Sequence, residues 1–134
     1  MNEKVDRDSL TGIWHGQYSY PAPQVPPVAF VATLIQFGEM LSGTTHENIE
    51  TDMGDAALFA TLEGTRQGEA VNFVKTYDPA IEDWQDVIYD GRLNGAGDEI
   101  EGTWTIPGVL AGKFLMIRNR GEARARAKRK RAEV

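Results

Sequence analysis

The chain contains no cysteine, which excludes disulfides, thiolate metal centres and cysteine nucleophiles. Histidine is nearly as scarce, with only His15 and His46 present, so histidine-based catalysis or metal binding has few positions to use. Long apolar runs are missing too. The longest, residues 25–37, is broken by Pro26, Pro27, Thr33 and Gln36 and cannot cross a bilayer as a helix. The first eight residues are polar and charged, without the apolar stretch of a secretory leader. A cytoplasmic protein without a membrane partner is therefore expected. No P-loop, dinucleotide fingerprint, Gly-x-Ser-x-Gly, His-Glu-x-x-His or EF-hand loop occurs, so no cofactor and no metal is expected.

What is present is an ordinary globular composition, 41% hydrophobic and 25% charged over 134 residues, sized for one core. The charge is uneven. From residue 118 onward eight Lys and Arg stand against Glu122 and Glu133, giving that stretch +6 and the remainder −12. An acidic body carries a basic tail.

Residues 11–20 alternate, with Trp14, Gly16, Tyr18 and Tyr20 on one parity and His15, Gln17 and Ser19 on the other. That period of two predicts a half-buried strand. Pro21, Pro23, Pro26 and Pro27 end it, because proline cannot donate to a ladder. Residues 28–37 form a second strand, apolar on both parities, which implies a central position or a covered outer side. Gly38-Glu39 turns the chain into a short third strand over 41–46. Residues 47–55, acidic and containing Gly54, read as a loop. Five more strands are expected over 56–65, 71–77, 87–93, 100–106 and 113–119. Turn residues such as Gln67-Gly68-Glu69, Asn94-Gly95-Ala96-Gly97-Asp98 and Pro107-Gly108 join them.

Regular short strands predict a sandwich or a barrel. Glycines inside or at the ends of strands, at Gly16, Gly43, Gly64, Gly91 and Gly102, let strands bend where a small barrel closes. The reading is all-β: a single eight-stranded antiparallel up-and-down barrel over residues 11–119, preceded by a polar lead-in (1–10) and followed by a basic tail (120–134).

Gly12-Ile13-Trp14 opens the first strand, Arg118 sits on the last, and Gly102-Thr103-Trp104 lies on the seventh. This pattern resembles the calycins, the group of lipocalins, fatty-acid-binding proteins and avidins. In those barrels a Gly-x-Trp lies on the first strand, and a basic residue near the end of the barrel packs over the Trp. The resemblance implies a lipocalin- or avidin-like barrel closed by Gly12, Trp14 and Arg118. The Thr-Asp-x-x-Tyr that lipocalins place between later strands is absent, as Lys75-Thr76-Tyr77-Asp78 shows.

Strand parity puts Tyr18, Tyr20, Phe73, Lys75, Tyr77, Tyr89 and Trp104 on the inner face with Trp14. Aromatic rings with a few polar tips suit a small-molecule cavity, yet an eight-stranded barrel can also be filled by its own side chains. Lys75 discriminates, because a buried lysine needs a partner or a ligand anion. His15, opposite in parity to Trp14, should face water. Carboxylates at Glu47, Glu50, Asp52 and Asp55, or at Glu82, Asp83, Asp86 and Asp90 around Trp84, fit solvated loops better than a cation or acid–base site. The tail, with Arg and Ala alternating before Lys128-Arg129-Lys130-Arg131, can be a solvated tail, a frayed helix, a strap on the acidic body, or a phosphate binder. It lacks the aromatic residues that stack on bases, so nucleic acid is the minor reading.

Three functions remain open. The first is a non-catalytic barrel binding a small, partly apolar molecule at its open end. The second is an isomerase or cyclase on the same scaffold, and the third a homo-oligomeric interaction module whose tail engages an acidic partner.

Overall fold

Inward alternation of apolar side chains closes the sheet on itself. The computed structural model describes residues 9–77 and 85–118. Its strands are β1 (Gly12–Ser19), β2 (Val28–Phe37), β3 (Met40–Thr51), β4 (Gly54–Gln67), β5 (Ala70–Tyr77), β6 (Val87–Leu93), β7 (Glu99–Ile106) and β8 (Leu110–Arg118). Each pairs antiparallel with its sequence neighbours and β8 returns to β1, forming a closed eight-stranded barrel. Closure leaves no unpaired edge. The period is cleanest in β5, where Val71, Phe73, Lys75 and Tyr77 are buried and Asn72, Val74 and Thr76 are exposed.

One expectation needs correction. Residues 47–55 are not a loop: β3 runs on to Thr51 and β4 begins at Gly54, with only Asp52 and Met53 turning between them. The inner parity simply continues through Thr45, Glu47 and Ile49, and Asp52 and Asp55 are exposed, as a barrel's outer face allows. Of the two alternatives for β2 the central position holds, since β1 and β3 pair on its two sides, and its outer side is uncovered, with Ile35 55% and Phe37 83% exposed. The remaining differences are shifts of a few residues at strand ends, such as β8 starting at Leu110. Residue 119 and the basic tail 120–134 lie outside the described residues, as does most of the lead-in.

Glycine permits the tight coiling. A Cβ on Gly64 would stand 1.9 Å from the Asn72 carbonyl oxygen, and one on Gly102 1.9 Å from that of Asp90. Strands can approach this closely only where no side chain intervenes.

The two barrel ends differ. At one, the turns after β2, β4 and β6 gather with the N-terminal segment and the end of β8. Trp14 is fully buried there and donates its indole N–H to the Leu10 carbonyl at 2.9 Å. The Arg118 guanidinium covers the same ring, 4.6 Å from its centre. Asn94 Oδ1 accepts the Asp98 and Glu99 amides at 3.0 Å, and the Asp98 carbonyl in turn accepts the Arg118 amide at 2.9 Å. This end is plugged. The connections after β1, β3, β5 and β7 lie at the other.

Candidate functional site

Beneath the Arg118 cover, the plugged half of the interior is lined by apolar side chains, Leu34, Leu41, Leu62, Val71, Leu93, Ile100 and Met116 with Trp14. Toward the other end the chemistry changes. Phe73 stacks on Tyr89 at 4.8 Å between ring centres, and Tyr89 meets Phe114 edge-on at the same separation. Beyond them lies a polar cluster on strands β1, β3 and β5.

Its centre is Glu47, one of the buried charged side chains. The Lys75 ammonium donates to Glu47 Oε1 at 2.9 Å, and each side chain is 1% exposed. Tyr77 donates its hydroxyl to the same oxygen at 3.1 Å, while Tyr18 donates to Oε2 at 2.5 Å. Three donors from two other strands thus satisfy one carboxylate, as a buried charge requires.

Lys75 is also surrounded by ring faces. Its Nζ lies 4.7 Å from the centre of Tyr77, 5.0 Å from Tyr18, 5.4 Å from Phe30 and 5.8 Å from Tyr89. Cation–π attraction gains strength where water is excluded. Burial nevertheless pushes the Lys75 ammonium below its ordinary pKa, with Glu47 pulling the other way through charge and hydrogen bond. Burial likewise raises the Tyr18, Tyr77 and Tyr89 hydroxyls above their ordinary range, reinforced at Tyr18 by the hydrogen bond to Glu47 and at the other two by its charge. These phenols are held neutral, as donors.

One step beyond the cluster, four apolar or aromatic side chains pack on the core and are only partly buried: Tyr20 just past β1, Val28 on β2, Ile49 on β3 and Ile106 on β7. Tyr20 meets Tyr18 and Trp104 edge-on at 5.9 and 5.3 Å. Trp104 itself is anchored by its indole N–H to the Ser19 carbonyl at 3.0 Å. The result is a half-buried apolar rim above a buried polar floor.

All seven inner-face residues expected from parity therefore do point inward. Tyr18, Lys75 and Tyr77 share the Glu47 cluster, Tyr89 joins the cage, Phe73 lies below it, and Tyr20 and Trp104 stand at the rim. Gly12 is register partner to Leu34 at the plugged end, near Trp14 and Arg118. The partner that Lys75 required is Glu47. Strand parity extended past His46 would have found it, because Ile49 marks the inner face beyond the acid.

Asp52, Asp55, Asp86 and Asp90 are exposed, and residues 78–84 lie outside the described set. No group of three metal-binding side chains occurs among the described residues. His15 and His46 are exposed on the outer face. No helix among the described residues is long and apolar enough to cross a membrane. Compared with known proteins, the chain matches no protein-family model and no curated protein.

Proposed function

We propose that the chain is a calycin-like binding barrel that admits a small, partly apolar molecule through its rimmed end, without turning it over. The observation that carries this reading is the Glu47–Lys75 pair with its two tyrosine donors, buried beneath Tyr20, Val28, Ile49 and Ile106. A barrel serving only as a solid scaffold gains little from a buried ion pair, since apolar side chains of similar volume usually stabilise as well or better. A ligand site gains orientation from a few fixed polar groups within aromatic walls. The calycin resemblance is supported by Arg118 lying over the buried Trp14.

Because carboxylate and ammonium neutralise each other, the floor favours a neutral polar group on the ligand over a free anion. Native mass spectrometry of freshly purified full-length protein should show a fraction heavier than the 14.8 kDa chain by one small-molecule mass. Repeatedly empty protein that also fails to quench on titration with a fluorescent naphthalenemethanol would sink the reading.

A further inference from the structure

The Lys75 ammonium has three N–H groups and, among the described residues, a single hydrogen-bonding acceptor, Glu47 Oε1. The rings of Tyr18, Phe30, Tyr77 and Tyr89 also stand around it, their centres 4.7–5.8 Å from Nζ. Ring faces attract a cation but are weak hydrogen-bond acceptors. An ammonium is therefore under-satisfied here. A protonated imine at the same nitrogen carries one N–H, which one carboxylate oxygen satisfies, and a delocalised charge that aromatic faces solvate. Glu47 remains as counter-ion, so the buried net charge does not change.

A second observation comes from Thr45. Its hydroxyl is buried and has no hydrogen-bond partner among the described residues. Thr45 shares the inward face of β3 with Glu47, two residues away, and pairs across the sheet with Ala32 and Ala60. A buried hydroxyl calls for a partner, and the small side chains on both sides offer little steric opposition to one.

We propose that Lys75 captures an apolar aldehyde as a reversible imine, with Glu47 as proton carrier and counter-ion and Thr45 as a hydrogen-bonding partner for the intermediate oxygen. This rests on the binding reading above and names the ligand's reactive group. Lys75 passes a proton to Glu47, and the freed amine forms a C–N bond to the carbonyl carbon. One amine proton moves to the carbonyl oxygen, giving a carbinolamine. Glu47 returns its proton to that hydroxyl, the C–O bond breaks, and water leaves. Ammonium plus aldehyde becomes iminium plus water, and the carboxylate is regenerated. No oxidant or reductant is needed. Burial, by favouring the free amine, assists the first step.

The test is reductive trapping on the full-length protein with a naphthaldehyde and cyanoborohydride at neutral pH, read by intact mass and peptide mapping. Exposed Lys113 serves as the internal reference. The expected result is one adduct at Lys75, formed at least about tenfold faster than at Lys113, as for a desolvated amine. Lys75→Gln should remove it. Binding of naphthalenemethanol, which cannot form an imine, is measured in parallel by fluorescence. If the alcohol binds while Lys75 is trapped no faster than Lys113, the imine is overturned and the binding reading stands. If neither occurs, both fall. The rate ratio within the unaltered protein decides even where Lys75→Gln fails to fold.

Discussion

Trp14 and Arg118 are register partners on the first and last strands, and the guanidinium carbon lies over the indole, 4.6 Å from the ring centre. The contact joins the two strands whose pairing closes the barrel. Because Trp14 is fully buried, Trp14→Ala should cost about 3–5 kcal/mol from lost burial and the cavity left behind. Arg118→Lys keeps the charge but loses the planar stack, and should cost about 1 kcal/mol. Urea unfolding measures both. Equal stability of the Lys variant and the unaltered protein would mean that the stack contributes nothing.

The Glu47–Lys75 pair makes an asymmetric prediction. Lys75→Met leaves the carboxylate with two tyrosine donors, whereas Glu47→Ala strands an ammonium among rings and removes the acceptor from both hydroxyls. Removing one partner of a buried pair costs about 3–5 kcal/mol, and Glu47→Ala should fall at or above the top of that range, with Lys75→Met below it. A Glu47→Leu/Lys75→Met double variant should recover much of the loss. Chemical denaturation of the three variants checks the order, and a double variant as unstable as the summed singles would show that the pair is not coupled.

The barrel was legible because its alternation is regular: the bounds of β2 and β6 agree with the sequence reading residue for residue. Lys75, Tyr18 and Tyr77 fall on the inner face for the same reason. Glu47 was hidden by composition. It sits among Glu50, Asp52 and Asp55, and local acidity reads as solvation. Parity, a property of the strand, outweighs composition, because the carboxylate's desolvation is offset by a lysine on another strand, 28 residues away. Such long-range compensation leaves no local mark. Nor does the uncovered outer side of β2, where Ile35 and Phe37 alternate in sequence just as a covered face would.

Two glycines separate space from backbone conformation. Gly64 has no room, with the Asn72 carbonyl 1.9 Å from a Cβ added there, and Gly68 has room but a φ of 60°. Gly68→Ala should therefore cost only about 1 kcal/mol, the penalty of a left-handed residue. Gly64→Ala must push β4 from β5 and should cost more, about 3 kcal/mol or above, in the range of severe overpacking. Thermal unfolding of the two variants ranks them, and the opposite order would mean that the strands can part here at little cost.

Alkaline pH should unfold the barrel in one step. Tyr18, Tyr77 and Tyr89 are raised in the folded state above the unfolded value of 10.0. Their contribution is fully present below pH 10 and is lost above it, as the unfolded chain releases phenolic protons that the folded chain retains. Each such proton costs about 1.4 kcal/mol per pH unit. Lys75 works oppositely. Its folded value lies below the unfolded 10.5, so it adds stability as pH rises toward 10.5 and nothing further beyond. Above that point the three tyrosines act unopposed. Tyrosinate absorbance from these residues should appear together with loss of near-ultraviolet circular dichroism, in a single cooperative transition. Gradual ionisation of all three in a barrel that remains folded would show that they are far better solvated than their burial implies.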